Sequence, residues 1–133
     1  MKQRVIIESG ADGRFSAYAP DMRNVPMGTG ATVEETIQDF LTCIGEMRDV
    51  YREEGRPVPD ELEADFDFQY DVSSLFAAFP FLNMSRTAEA MGINASVMRR
   101  YASAGGRIAP GRKRAIEKGI RAIGERLRHV SIA

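Results

Sequence analysis

The chain has 133 residues, 44% hydrophobic and 28% charged, the balance of an ordinary folded protein. That length excludes a large enzyme, and no apolar run approaches the roughly 20 residues of a membrane helix. The single cysteine, Cys43, excludes an internal disulfide and a cysteine-based zinc site.

The early charges Lys2, Arg4 and Glu8 are unlike a signal peptide, so a reducing cytoplasm is the expected location. A net charge of −1 conceals a division. Residues 1–71 carry 7 Lys/Arg against 16 Asp/Glu, a net −9, whereas residues 72–133 carry 11 against 3, a net +8. Two domains are expected, an acidic one over 1–71 and a basic one over 72–133, each with its own partner. The basic half suits nucleic acid, and the acidic half suits a basic protein. Simple mutual attraction of the halves is the plainer alternative.

Residues 3–8 are β-branched and read as a strand, Ser9-Gly10-Ala11-Asp12-Gly13 as a turn, and residues 15–19 as a second strand of a hairpin. Residues 20–30, with two prolines and two glycines, read as a loop. Thr32-Val33-Glu34-Glu35 has the capping-box pattern, in which each side chain satisfies a backbone N–H near the other. Val33, Ile37, Phe40, Leu41, Ile44, Met47 and Tyr51 then recur at helical spacing to about Glu54, where Gly55, Pro57 and Pro59 end the helix. Over 65–72, Phe66, Phe68, Tyr70 and Val72 alternate with Asp65, Asp67, Gln69 and Asp71, a half-buried strand. The first half is therefore expected to be β-β-α-β.

The second half carries no strand pattern. Ser73 or Ser74 can cap a short helix ended by Pro80. Ser85 can cap another over 86–91, stopped by Gly92. Asn94 caps a third, stopped by Gly105-Gly106. Pro110 opens a long last helix, whose Ile116, Ile120, Ile123, Leu127 and Val130 form a seam suited either to its own core or to a dimer contact. The fold class is α+β, with a small sheet domain followed by an all-α domain.

Within 85–101, Ala88 lies four residues before Gly92 and Met98 six after it, the spacing of a helix-turn-helix. A small residue at Ala88 admits the second helix, Gly92 supplies a left-handed turn, and Ile93, Met98 and Tyr101 fill the space between. Ala95, Ser96, Arg99 and Arg100 then face outward, where an arginine reaches guanine O6 and N7 in the major groove. Arg107, Arg112, Lys113 and Arg114 follow, placed for phosphates. A helical hairpin with a solvated basic face is the alternative.

Residues 72–130 resemble the lambda-repressor-like (Xre) class of bacterial regulators. The whole order resembles HicB-type antitoxins. Gly30-Ala-Thr-Val-Glu-Glu-Thr-Ile37 is similar to the turn that opens the helix in their N-terminal domains, and Phe68-Gln-Tyr-Asp-Val-Ser-Ser-Leu-Phe76 is similar to the form with this C-terminus. Residues 20–26 depart from the family's Leu-Pro-Gly loop. The resemblance implies a partial ribonuclease-H-like N-terminal fold without nuclease activity, which masks a small HicA-like mRNA-cleaving toxin. It also implies a C-terminal half that represses its own operon as a homodimer or higher homo-oligomer. By motif position it places Ala95, Ser96 and Arg100 toward bases and Ser85 and Arg86 toward phosphate. Ala95 can touch only a thymine methyl.

Asp65, Asp67 and Asp71, approached by Asp60, Glu61 and Glu63, can mimic RNA charge toward a basic ribonuclease. They serve equally well as a solvated face that deters edge pairing. The rival functions are a stand-alone regulator whose first half senses a ligand or oligomerises, and a two-metal nuclease using Glu8, Asp12, Asp39 and Glu46. Those four carboxylates form no convincing set. His129 reads as a helix-end residue, Cys43 as a small half-buried one, and Met27-Gly-Thr-Gly30 as a connector that lacks the ending of a phosphate loop. No enzyme activity, cofactor, metal or membrane partner is expected.

Overall fold

The computed structural model describes residues 2–103 and 107–133. The chain divides into two compact units, Met1–Ala78 and Phe79–Ala133. The expected boundary at 71/72 thus moves to the end of one more helix. Residues 72–78 carry no charge, so the −9 and +8 division is unaffected.

The first unit is a four-stranded sheet with one long helix on its apolar face. Strand β1 (Lys2–Ser9) pairs antiparallel with β2 (Phe15–Tyr18), and β2 pairs antiparallel with β3 (Met27–Gly30). After α1 (Val33–Glu53) and a single 3-10 turn (Asp60–Glu63), β4 (Asp65–Tyr70) returns parallel to β1, giving the order β3-β2-β1-β4. Val5 lies opposite Phe68 and Ile7 opposite Tyr70, so the apolar sides of β1 and β4 share the face that α1 covers. Phe40 anchors that layer at 0% exposure, with edge-on contacts to Phe66 and Phe68 at 5.2 and 6.1 Å between ring centres.

The half is therefore β-β-β-α-β, not β-β-α-β. The segment expected to be a connector is strand β3, and its glycines explain both its structure and its disguise. Gly28 and Gly30 point inward beneath α1. A Cβ on Gly28 would lie 2.7 Å from the Phe40 Cα and 2.8 Å from the Thr36 oxygen, and one on Gly30 would lie 2.8 Å from the Thr36 nitrogen. Backbone packs on backbone here, a contact that only glycine permits.

Helix α1 starts as its capping pattern requires. The Thr32 hydroxyl accepts from the Glu35 N–H at 3.1 Å. The Glu35 carboxylate reaches one residue further than expected and accepts from the Ala31 N–H at 3.0 Å. Gly55 at φ +66° follows the helix end. Helix α2 (Val72–Ala78) belongs to this unit because it packs on the sheet's end, where the Ser74 hydroxyl accepts from the Ser9 N–H at 3.0 Å.

The second unit holds α3 (Met84–Ala90), α4 (Ala95–Ala102) and α5 (Pro110–Arg128). Its small core consists of Thr87, Ala88, Ile93, Met98 and Ile116. Gly119 lets α5 approach the Met91 side chain; a Cβ there would lie 2.6 Å from the Met91 sulfur. Among the described residues no helix is long and apolar enough to cross a membrane.

Candidate nucleic-acid interface and acidic strand

The α3–α4 hairpin is built from local rules. Asn83, not Ser85, caps α3, accepting from the Arg86 N–H at 3.0 Å. At its other end Gly92 takes φ +72°. Its N–H donates to the Glu89 carbonyl at 3.0 Å and the Ile93 N–H to the Ala88 carbonyl at 2.9 Å. This is the paired Schellman bonding that closes a helix with glycine. Ile93 is thereby turned into the core beside Ala88 and Met98, both fully buried. The Asn94 side chain caps α4, accepting from the Ser96 N–H at 2.9 Å and from the Ser96 hydroxyl at 2.6 Å. The helix closes at Ser103, and the expected stop at Gly105-Gly106 lies outside the described residues.

The sequence-selected residues fall as follows. Ser96, Arg99 and Arg100 are exposed on α4, and Ala95 is half-buried at its start. Arg86 is exposed on α3, Ser85 is half-buried, and Arg107 is exposed ahead of α5. The structure joins two of them. The Arg99 Nη1 donates to the Ser85 Oγ at 3.1 Å, which ties the middle of α4 to the start of α3. Sequence reading missed this pairing because it gave Ser85 the capping role; Asn83, three residues before Arg86, was the available signal. Arg112, Lys113 and Arg114 sit exposed in the opening turns of α5, whose first turn has no acidic residue and whose cap offers no side-chain bond. Cations there oppose the positive end of the helix dipole and favour an anion.

In the first unit Asp65 and Asp67 are exposed on the edge strand β4, on the face opposite α1, and lie across from Lys2 and Arg4. Asp67 accepts from the Gln69 amide at 2.8 Å. Asp71 does not continue this row. The strand ends at Tyr70, and the Asp71 carboxylate instead caps α2, accepting from the Ser74 N–H at 2.7 Å, a role expected of Ser73 or Ser74. Glu63 lies near Arg48 and Arg52, at 3.7 and 3.8 Å.

Three of the four carboxylates weighed for metal chemistry are engaged separately. Glu8 accepts from the Tyr18 hydroxyl at 2.7 Å, Asp12 from the Arg14 N–H at 3.0 Å and Asp39 from the Thr29 N–H at 2.8 Å. Among the described residues no group of three His, Cys, Asp or Glu side chains could hold a metal ion. The Tyr18 hydroxyl is pushed above its ordinary pKa, first by its bond to Glu8 and then by burial. Burial raises Tyr70 as well, with Glu34 adding to the effect. Cys43 is half-buried in α1, with its sulfur 4.0 Å from that of Met47. His129 closes α5, its Nε2 2.9 Å from a Glu125 oxygen. No protein-family model, curated protein or solved structure matches this chain.

Proposed function

We propose that this chain is a cytoplasmic antitoxin and autorepressor. Its helical unit binds operator DNA as a homodimer, and its acidic unit holds a small basic HicA-like ribonuclease. The observation that carries the DNA half is the α3–Gly92–α4 hairpin, with a closed core behind it and Ser96, Arg99 and Arg100 exposed in front. Support comes from the cations in the first turns of α5, which weaken their own helix and suit a phosphate backbone. Two such hairpins would sit about 34 Å apart on a palindrome. The toxin half is supported by the sequence resemblance and by a net −9 over residues 1–71, with Asp65 and Asp67 exposed on an edge strand.

The test is co-expression of the untagged chain with the tagged product of a short neighbouring reading frame encoding a basic protein. Co-elution and restored growth are expected. Gel-shift assays with DNA from upstream of the operon should show sequence-specific retardation. Absence of a complex, with DNA binding intact, would replace the antitoxin reading with a free regulator. Joint charge reversal, Asp65→Lys with Asp67→Lys, should slow toxin association, and high salt should reproduce the effect on the unaltered chain. Salt-independent association would remove charge mimicry from the account.

A further inference from the structure

We infer that the DNA-facing residues divide their work by hydrogen-bond polarity. Ser96 accepts from the exocyclic amino group of an adenine or cytosine, Arg100 donates to a guanine, and Ser85 with Arg99 holds phosphate. This rests on the helix-turn-helix reading above and goes beyond it, to the base chemistry of the half-site.

The Asn94 atom that caps α4 receives the Ser96 backbone N–H at 2.9 Å, so it is the carbonyl oxygen and not the amide nitrogen. The Ser96 Oγ lies 2.6 Å from that same oxygen, so the single hydroxyl proton of Ser96 points back into the cap. What Ser96 turns outward is lone pairs alone. Phosphate oxygens, guanine O6 and N7 and thymine O4 are all acceptors and give such a group nothing to bind. In the major groove only adenine N6 and cytosine N4 offer a proton.

Arg100 is the opposite case. Its guanidinium is donor-only and exposed, with no hydrogen-bond or ion-pair partner among the described residues. It stands one helical turn, about 6 Å, beyond Ser96, within about two base pairs at the roughly 3.4 Å spacing of the duplex. A bidentate donor in that position matches guanine. Arg99 is held at its Nη1 by the Ser85 Oγ at 3.1 Å. The Ser85 hydroxyl accepts that bond and keeps its own proton, so Ser85 and the remaining Arg99 N–H groups all have protons to give, the polarity that phosphate requires.

The full-length chain would first be used to select from a library of random 20-bp duplexes (a probe length of about two helical turns). Single atoms of the selected duplex are then changed. Replacing adenine by purine, or cytosine by pyrimidin-2-one, removes an amino donor; 7-deazaguanine removes an acceptor. At one position, amino removal should weaken binding about tenfold, the effect of one good base contact. Ser96→Ala should be insensitive to that change. Within two base pairs, 7-deazaguanine should weaken the unaltered chain and leave Arg100→Ala unmoved. Asn94→Gly, a substitution mild at a helix cap, releases the Ser96 proton and should relax the amino requirement. A Ser96-dependent loss that follows acceptor removal, or an Asn94→Gly chain that keeps the requirement, overturns the inference and leaves DNA binding standing. Selection that yields no preferred sequence overturns the helix-turn-helix reading itself.

Discussion

The two units differ in how far they neutralise their own charge. In the α/β unit, Arg4, Arg48, Arg52 and Arg56 each sit in an ion pair, with Asp21, Glu63, Asp49 and Glu54 among the partners. In the helical unit Arg121 and Arg128 pair with Glu117 and Glu125, but Arg86, Arg100, Arg107, Arg112 and Arg114 have no ion-pair partner among the described residues. Burial differs in parallel. The sheet unit closes over Val5, Ile7, Ala17, Ala19, Phe40, Ile44 and Leu62, whereas the helical unit leaves Leu127 and Val130 each 61% exposed. An open groove between α3 and α5, lined by Leu82, Thr87, Ala90, Ile123, Leu127 and Val130, runs beside them. The first unit is built to hold itself together. The second commits fewer side chains to its own core and leaves more of its cations without a carboxylate.

The largest expected effect is at the first unit's centre. Phe40→Ala should cost about 3–5 kcal/mol, the range for emptying a buried aromatic site. Hydrogen exchange should show protection lost across β1, β4 and α1 while α3 and α4 retain theirs. Next comes Met98→Ala, expected to cost about 2–5 kcal/mol with the loss confined to α3, α4 and α5. If either variant erases protection across both units together, the contrast between a self-sufficient unit and a lightly built one fails. Gly28→Ala adds one methyl where α1 backbone already lies and should cost about 1–3 kcal/mol, read from the denaturation midpoint.

The smallest effect is at high pH. The Tyr18 phenol has a raised pKa in the folded chain, so folding favours its protonated form. Its contribution is fully present below the ordinary tyrosine value of 10.0 and is lost as the pH rises through the folded value, because the unfolded chain releases the proton first. Tyr18→Phe should blunt the alkaline fall in melting temperature. Tyr70, raised by burial, leaves a residue of it.

Much of this was legible in the sequence wherever one residue answers to one local rule. Thr32, Gly55, Gly92 and Asn94 mark helix ends by capping and by left-handed backbone, and the alternation of Phe66, Phe68 and Tyr70 marks β4. What escaped depends on a neighbour distant in sequence. Strand β3 consists of Met27, Gly28, Thr29 and Gly30, two of them glycines, which strands ordinarily disfavour; it pairs with β2 and needs those glycines because α1 comes down on them. Asp71 continues the period of two in sequence, yet the sheet ends one residue earlier and the carboxylate turns to α2. At the candidate interface the outward residues of α4 were legible from helical spacing. The Ser85–Arg99 bond was not, since it rests on which of Asn83 and Ser85 takes the cap.

The opening of α5 bears on how long a copy of this chain survives. Its first turn places Arg112 where the helix dipole is already positive, with Lys113 and Arg114 next to it and no acidic residue to relieve them. A polyanion laid across that turn returns the lost free energy to folding, in proportion to how tightly it binds. Copies on such a surface therefore open less often than free copies, and a protease that cuts the opened form would remove the free ones first. Occupancy and turnover become two readings of one equilibrium, so the persistence of the chain would report how much of it is engaged.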